Sequence, residues 1–374
     1  MRLLALIYLI ALGFLPASAF AQLKLGIAGP LAGSNAGSML EIVKGANMYV
    51  DQVNQAGGVH GKRIAIVARD DNFEVPKTVI AVKQLIEVDN VLALMLVRGT
   101  PHNEAILPLL EQYKIALVAP STGAMVFHKP VNHYVFNVRT AYQLEATKLV
   151  ALLKTVGMEK IAVLHVDDGF GSDVLTGLKT GFMDSSLLPA AIVPFDRKLA
   201  AKDSTDFMTP VLPVLLKADP QVIVIVGAGL AVKNATFAIR AAGSTAKIAT
   251  LSNNASTAFI KLLDTHARGV IVSQVFPDEK SLTSAFVREA QQAAYKNKVT
   301  LTPGMMEGFA AAKVVVKALR DAGSNPTRAS LVAALEGLGT YDLGDISIRY
   351  STTDHTGLEL TDLSIITKEK AFMR

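Results

Sequence analysis

The short stretch LVAPSTGAM, residues 117–125, places Ser121, Thr122 and Gly123 directly after an apolar run and a proline. Three kinds of site use such residues: a serine nucleophile, a phosphate-binding turn, and a pocket that binds a ligand through hydroxyl and amide groups. Each of them requires different partners elsewhere in the chain, so the rest of the sequence discriminates between them.

A serine nucleophile at Ser121 is the weakest of the three hypotheses. Ser121 lacks the flanking glycines of the G-x-S-x-G turn that presents a hydrolase serine, and no base is evident for it. Two histidines occur in HKPVNH (128–133), but Pro130 interrupts a helical pair and a third zinc ligand is lacking. We therefore expect neither catalysis nor a metal site, and a secreted ester hydrolase stays a minor alternative.

A phosphate- or dinucleotide-binding turn is also disfavoured. GPLAGSNAG (29–37) follows the first predicted strand, but it lacks the G-x-G-x-x-G spacing, and the GK[ST] of a P-loop does not follow it. Asp70 and Asp71 end the second predicted strand, where an acid could bind a ribose. Without the glycine spacing, these residues indicate a polar turn before a helix, and we expect no cofactor.

The composition is typical of an exported globular protein of two domains. About half of the 374 residues are apolar, and the net charge of +5 comes from scattered basic residues, which disfavours nucleic acid as a partner. Residues 1–21 contain one arginine, an apolar run and Ala19-Phe20-Ala21, which predicts a cleaved signal peptide. Because the chain has no cysteine, disulfides, thiolate metal sites and a lipid anchor at the cleavage point are excluded.

Apolar runs alternate with helical patterns along the chain. The first four runs are KLGIAG (24–29), RIAIVARDD (63–71), VLALMLV (91–97) and IALVA (115–119). The same rhythm restarts after YVFNV (134–138). Since strands that are apolar on both faces lie in parallel sheets covered by helices, the pattern predicts an α/β protein with two doubly wound parallel-sheet lobes. The C-terminal segment is too short for a third domain, so we expect it to complete both lobes.

Short polar loops follow three of the predicted strands. They supply Ser34 and Ser38 after the first strand, Arg98, Gly99 and Thr100 after the third, and Ser121, Thr122 and Gly123 after the fourth. In open α/β sheets, ligands bind at the carboxyl edge of the strands, where helix N-termini offer free amides and a positive dipole. The convergence predicts a carboxylate site, to which Arg98 adds a cation. A surface ion pair between Arg98 and Glu104 is the alternative.

The segment from Gly29 to Asp71 resembles the opening of the branched-chain amino-acid (Leu/Ile/Val) type of periplasmic solute-binding protein. The likeness rests on Gly29-Pro30 with Gly33, on residues 54–61, and on the paired acids Asp70-Asp71. Further similarity lies in GTPHNEAILPLLEQYKIALVAPSTGA, YVFNVRT and IAVLHVDDGFGSDVLTGLKTGF, so that it covers nearly the whole chain after the signal peptide.

The resemblance implies a type I periplasmic binding fold, in which two lobes joined by three crossovers close on a solute for an ABC permease. It implies an N-terminal lobe of residues 22–139 plus 274–343 and a C-terminal lobe of residues 140–273 plus 344–374. It also implies that the loops at Thr100 and at 121–123 hold the ligand carboxylate. On this basis we expect a monomer in the periplasm.

Departures from the family pattern bear on the identity of the ligand. Members that bind amino acids carry a glutamate for the α-ammonium in the loop that here is TLSNNAS, where Ser252 or Asn253 stands instead. An ammonium buried without a carboxylate is costly, so an α-amino acid is disfavoured. Phe170 keeps an aromatic side chain in the DDGFGSD loop, whereas Ser38 and Ala228-Gly229 replace bulky aromatics and leave more room.

We therefore expect a receptor for a small carboxylate with an aromatic or otherwise bulky body. The expected ligand-binding residues come from both lobes: Ser38, Arg98, Thr100, Ser121, Thr122, Gly123, Phe170, Gly229, Ser252 and Asn253. Gly123 stands where the family often has a threonine, so the loop has one hydroxyl fewer. Two alternatives stay open: a receptor for branched-chain or other amino acids, and a periplasmic ligand sensor of the same fold.

Overall fold

The structure is a computed structural model that describes residues 22–374, and the predicted signal peptide lies outside the described residues. Two separate sheets form the centres of two lobes. Central strands such as Val222–Val226 are buried on both faces, as predicted for apolar runs covered by helices. Among residues 22–374, none of the helices combines the length and the apolar character that a membrane span requires.

The first lobe contains a five-stranded parallel sheet in the order β2-β1-β3-β4-β5. Its strands are β1 (Leu23–Gly29), β2 (Ile64–Asp70), β3 (Ala93–Met95), β4 (Leu117–Val118) and β5 (Val135–Phe136). The helices between them are α1 (Ala36–Gln55), α2 (Val75–Glu87) and α3 (Thr100–Tyr113). Because the strand order reverses between β1 and β3, the loops that follow these two strands flank a crevice at the carboxyl edge.

The second lobe repeats this order with parallel strands β7-β6-β8-β9-β10, to which two antiparallel strands are added beside β10. The strands are β6 (Ile161–Val166), β7 (Ala191–Phe195), β8 (Val222–Val226), β9 (Lys247–Thr250), β10 (Ile271–Gln274), β13 (Asp362–Ile366) and β14 (Phe372–Met373). Its helices are α4 (Tyr142–Thr155), α5 (Gly169–Asp184), α6 (Arg197–Ala200), α7 (Leu212–Lys217), α8 (Gly229–Ala241) and α9 (Thr257–Leu263).

After β10 the chain returns to the first lobe before it finishes in the second. The returning elements are α10 (Ala285–Lys296), α11 (Pro303–Asp321), α12 (Arg328–Glu336) and the hairpin of β11 (Gly339–Asp342) with β12 (Ser347–Tyr350). Helix α11 lies so close to α1 that a Cβ on Gly308 would be 1.8 Å from the carbonyl oxygen of Ile42. The chain therefore crosses between the lobes three times, at 137–141, 275–284 and 351–361.

Strands β3 and β4 are shorter than the apolar runs predict. Leu96 has φ +56° and Ala119 has φ +52°, a left-handed backbone that turns the chain out of the sheet. Beyond these turns, Arg98 and Ser121 pair with each other in an isolated parallel bridge. The early strand ends thus place Arg98 and Ser121 side by side at the carboxyl edge.

The predicted bounds of the two lobes stay a prediction. Near the last of these bounds, at residues 343–344, the contacts of the chain do not follow the predicted division. Strand β12 pairs with β11, and the hydroxyl of Tyr350 donates to the carbonyl of Asn137, 2.5 Å away. The amide of Leu358 donates to the carbonyl of Val138 at 2.8 Å. Residues 344–358 therefore pack beside the end of β5, because the hairpin keeps β12 with β11, although they were predicted to belong to the C-terminal lobe.

Replacing Gly308 by alanine is expected to lower the free energy of unfolding by about 1–3 kcal/mol, because the new methyl group would force α1 and α11 apart. Thermal and denaturant unfolding would measure the loss. Gly229→Ala is the matched control, since the nearest heavy atom to its Cβ would be 3.6 Å away. Equal stabilities of the two variants would contradict the tight packing of α1 on α11.

Candidate ligand-binding site

Three adjoining cavities lie where the carboxyl edges of the two sheets face each other. The smallest cavity, which we call the head pocket, has a volume of about 30 Å³. It is lined by polar and aromatic residues of both lobes: Phe73, Arg98, Gly99, Thr100, Ser121, Tyr142, Phe170, Arg197, Ala228 and Asn253.

Two larger cavities adjoin the head pocket. The first chamber, of about 350 Å³, is lined by Gly33, Ser34, Asn35, Gly37, Ser38, Phe73, Arg98, Ala228, Gly229, Ala258, Phe259, Lys261 and Leu262. The second chamber, of about 380 Å³, is lined by Asn35, Asn72, Phe73, Glu74, Val166, Phe195, Arg197, Lys198, Ala200, Ala201, Ala228, Leu230 and Ala231. Seven of the ten predicted site residues therefore line the head pocket or the first chamber, and Thr122, Gly123 and Ser252 do not.

Arg98 lines both the head pocket and the first chamber. Its guanidinium donates to the backbone carbonyl of Asn253 in the other lobe at 2.8 Å and to the hydroxyl of Ser121 at 3.4 Å. Within the described residues, no carboxylate oxygen lies within 4.0 Å of it. Burial lowers the pKa of Arg98, because a charge removed from water without an acidic partner is disfavoured.

The alternative pairing of Arg98 with Glu104 does not form. Glu104 faces Gly169 at the start of α5, where a Cβ would be 3.1 Å from both carboxylate oxygens. Burial and the nearby charges of Asp168 and Asp173 raise the pKa of Glu104. Arg98 is therefore a cation of the cleft rather than half of that ion pair.

Helix α3 begins at the head pocket with Thr100. The hydroxyls of Thr100 and Thr122 are hydrogen-bonded at 2.7 Å, and Thr122 is completely buried behind Thr100. In the first turn of α3, Pro101 has no amide hydrogen and the amide of Asn103 donates to the carbonyl of Gly99 at 3.0 Å, so the amide of Thr100 is the one at the head pocket without a helical partner. The positive end of the helix dipole lies there as well. Thr100 and the start of α3 can thus bind an anion, while the hydrogen bond from buried Thr122 orients the hydroxyl of Thr100.

Gly123 packs against the first crossing rather than against the cleft. Its carbonyl accepts from the amide of Tyr142 at 2.7 Å, and a Cβ would be 2.6 Å from the carbonyl oxygen of Thr140. The glycine is needed for this close approach. The missing hydroxyl at position 123 therefore follows from packing and does not enlarge the head pocket.

The second lobe provides Phe170, Gly229 and Asn253 to these cavities. Phe170 packs against Tyr142 with ring centroids 5.0 Å apart, and the side chain of Asn253 donates to the carbonyl of Gly227 at 3.0 Å. From the first lobe, the Ser38 hydroxyl lies 2.7 Å from that of Ser256. Ser38 therefore links the lobes at the wall of the first chamber.

Ser252 is buried in a cluster of charged groups behind the head pocket. Its amide donates to Glu145 at 2.7 Å, its hydroxyl donates to the other oxygen of Glu145 at 2.9 Å, and Arg139 donates to the same hydroxyl. Ser273 adds a hydrogen bond to Glu145 at 2.5 Å. A serine at position 252 thus completes the hydrogen bonds of a buried ion pair, which is why it does not reach the cavity.

Arg139 is the centre of this cluster, and it was not among the predicted site residues. It is 2% exposed, and its guanidinium lies 3.6 Å from Glu145 and 3.8 Å from Glu307. Burial works against its charge, yet Tyr142, Glu307 and Glu145 together raise the pKa of Arg139 above its usual value. Its guanidinium also lies 4.8 Å from the ring centroid of Tyr142, a wall residue of the head pocket.

Phe73, Tyr142 and Arg197 also line the head pocket without having been predicted. Phe73 lies in the polar stretch DDNFEVPKT, which indicates a turn and gives no sign of a wall residue. Tyr142 begins α4, a position that is ordinarily structural. The one available signal was Arg139 itself in YVFNVRT, an arginine directly after a buried strand, which requires an acidic partner.

The charged side chains that line the head pocket and the first chamber are cations. Within the part of the chain that the structure describes, no aspartate or glutamate lines the head pocket or the first chamber. Arg197 is ion-paired with Asp168, whereas Arg98 has only neutral acceptors. Neutral donors, one uncompensated guanidinium and apolar walls suit a carboxylate with an apolar body.

Residues 22–362 match a family model described as "Periplasmic binding protein". Over 347 residues the chain is 21% identical to Leu/Ile/Val-binding protein homolog 3 of Brucella melitensis, and the alignment covers 91% of this chain and 90% of that protein. An amino acid binding protein of Pseudomonas aeruginosa is 27% identical over 160 residues, only 41% of either chain. A substrate-binding periplasmic protein from Ralstonia solanacearum has a similar structure, with a TM-score of 0.83 and 29% identity over 94% of this chain and 99% of that chain.

The buried cluster leads to a stability prediction. Glu145→Gln is expected to lower the free energy of unfolding by about 3–5 kcal/mol, because it leaves the guanidinium of Arg139 buried with a single, more distant carboxylate. Urea unfolding at neutral pH would measure the loss. Glu359→Gln, an exposed position, is the control, and equal stabilities would rule out a structural role for the pair.

Proposed function

The chain belongs to the periplasmic binding protein family, and we propose that it is the solute receptor of an ABC importer for a small carboxylate that has an apolar body and no α-amino group. The periplasm is then its compartment and an inner-membrane permease its partner. The observation that carries the ligand class is the guanidinium of Arg98, which faces the cleft without a carboxylate within 4.0 Å among the described residues.

The carboxylate of the ligand is assigned to the head pocket. Arg98, Ser121 and the start of α3 at Thr100 are together at this point, and they offer a guanidinium, a hydroxyl and the amide of Thr100. An anion there would compensate the charge of Arg98, and charge-assisted hydrogen bonds of this type are about twice as strong as neutral ones. The small volume of the head pocket, about 30 Å³, suits a carboxylate group rather than a whole ligand.

The absence of an acid from these walls argues against an α-amino acid. The buried carboxylates Glu145 on α4 and Glu307 on α11 are both engaged with Arg139. An α-ammonium bound next to Arg98 would meet a cation instead of a carboxylate, which is costly in a desolvated site. The names of the Brucella and Pseudomonas relatives favour an amino acid as the alternative ligand.

The apolar body of the ligand is assigned to the first chamber. Phe73, Phe259 and Leu262 give it apolar walls, while small residues such as Gly37 and Gly229 leave its volume at about 350 Å³. This lies within the usual range for small-molecule pockets. Gly229 is one of the small residues, with Ser38 and Ala228, from which the sequence predicts a bulky ligand.

Closure of the lobes is the proposed mechanism of capture. Arg98 donates a hydrogen bond to Asn253 across the cleft. In addition, the carboxylate of Glu41 on α1 accepts from the hydroxyl of Thr257 at 2.5 Å and from the amide of Ala258 at 2.8 Å. These bonds join the two lobes across the cleft. A ligand held by both lobes binds this closed form more tightly than an open one, so it shifts the population toward the form that a permease would recognise.

A role as an ester hydrolase gains no support from the cleft. The hydroxyl of Ser121 is hydrogen-bonded to Arg98, and no histidine of the described residues lines the head pocket. A guanidinium does not act as a general base at neutral pH, because it stays protonated. Binding without chemistry is therefore the proposed activity.

Matched ligand pairs would test the ligand class directly. Calorimetric titration is expected to show 3-phenylpropanoate binding at least about 100-fold more tightly than phenylalanine, and 4-methylpentanoate more tightly than leucine, because each pair differs only by the α-amino group. Tight binding of leucine or valine without binding of the deamino partners would instead establish an amino-acid receptor.

Substitution of Arg98 would test the assignment of the carboxylate. Arg98→Gln is expected to weaken the binding of 3-phenylpropanoate by about 100-fold or more, equivalent to roughly 3 kcal/mol, because a desolvated charge pair is lost. Arg288→Gln removes an equal charge at an exposed position on α10 and serves as the control. An unchanged dissociation constant for the Arg98 variant would place the carboxylate elsewhere.

A further inference from the structure

Phe73 and Ala228 are the two residues that line all three cavities of the cleft. Phe73 comes from the loop between β2 and α2 in the first lobe, and Ala228 is the residue just before α8 in the second. A large side chain from one lobe and a small one from the other thus both border the junction of the head pocket with both chambers. The width of that junction depends on this pair.

The backbone of Phe73 is held in an unusual conformation. Its φ is +60°, in the left-handed region that a bulky residue seldom adopts. The buried carboxylate of Asp71 accepts from the amide of Phe73 at 2.8 Å and from the hydroxyl of Thr78 at 2.7 Å. A conformation that costs free energy by itself is therefore stabilised by a buried hydrogen-bonded turn.

The ring of Phe73 is fixed from both lobes. It stacks on the imidazole of His102 with centroids 4.5 Å apart and planes 17° apart, and Gly99 leaves the room for this stack. From the second lobe, the guanidinium of Arg197 lies 5.8 Å from the ring centroid and is itself held by Asp168. The ring is therefore a packed wall rather than a loose surface side chain.

The second chamber, on the other side of this wall, is suited to an apolar group. Val166, Phe195, Ala200 and Leu230 contribute to its lining, and its volume of about 380 Å³ matches that of the first chamber. From the head pocket beside Arg98, a ligand would reach this chamber past Phe73 and Ala228, while Asn35 borders both chambers and Arg197 borders the head pocket and the second chamber. Access to it would add apolar contact for a long ligand and nothing for a short one.

We propose that Phe73 is the residue that sets the length of the ligand: it confines the apolar body to the first chamber and closes the second chamber to longer carboxylates. This inference rests on the proposed function and deepens it. It assigns to the protein short aryl or alkyl carboxylates, and it assigns the exclusion of longer ones to a single side chain and its partner at Ala228.

A homologous series of ligands would test the role of Phe73. The probes are phenylacetate, 3-phenylpropanoate, 4-phenylbutanoate and 6-phenylhexanoate, titrated into the wild type, Phe73→Ala and Phe73→Asn. Asparagine accepts a left-handed backbone well, so the second variant guards against loss of the fold, which thermal unfolding would monitor. Each methylene newly buried in the second chamber contributes about fourfold in affinity.

The wild type is expected to prefer the two short members of the series. In both variants the ratio of 6-phenylhexanoate to phenylacetate affinity is expected to rise by at least about tenfold. Adding Ala228→Leu to Phe73→Ala narrows the junction from the opposite lobe, so it is expected to return the ratio toward that of the wild type.

The possible failures are distinguishable. If the folded variants bind the series with the wild-type ratio, the role of Phe73 is wrong while the receptor for carboxylates stands. If neither the wild type nor any variant binds a member of the series, the proposed function fails and the inference fails with it.

Discussion

The ion cluster of Arg139 with Glu145 and Glu307 is the interaction on which the geometry of the cleft depends. Arg139 lies in the first crossing, Glu145 on α4 and Glu307 on α11, so the cluster ties the crossing to both lobes. A guanidinium that is 2% exposed is tolerated only while its partners stay in place. The same cluster orients Tyr142 and Ser252, and through them it fixes one wall of the head pocket and the loop that carries Asn253.

Two arginines near one cleft thus have different roles because their surroundings differ. Arg139 is neutralised by two carboxylates and hydrogen-bonded to Ser252, so its charge belongs to the structure. Arg98 has a serine hydroxyl and a backbone carbonyl as acceptors, so its charge is directed to the cavity. An uncompensated guanidinium at the end of a strand, next to a helix N-terminus, makes this edge of the sheet attractive to anions in particular.

The alternation of apolar runs and helices was sufficient to predict two parallel-sheet lobes, and the resemblance supplied their three crossings. The ends of β3 and β4 were not predictable, because nothing in the sequence marks Leu96 and Ala119 as residues with positive φ. Arg98 and Ser121 were nevertheless assigned to the correct edge, since the carboxyl ends of parallel strands always meet there.

The prediction of which side chains face the cavity is less complete than the prediction of the fold. Thr122, Gly123 and Ser252 lie next to the wall but serve its packing, and their orientation depends on Thr100, Tyr142 and Glu145, which come from other parts of the chain. Phe73 was missed because an aromatic residue in a polar turn has no periodic pattern. Contacts between residues distant in sequence decide which side chain of a polar loop faces a cavity, and a single sequence does not contain them.

The close packing of α1 on α11 has a consequence for how the chain folds. Gly308 on α11 meets Ile42 on α1, so the first lobe is completed by a helix that lies beyond nearly all of the second lobe in the sequence. Contacts of such long range form slowly, since a large loop has to close before they are made. The second lobe has its five parallel strands by residue 274, so the centre of its sheet can form before α11 completes the first lobe.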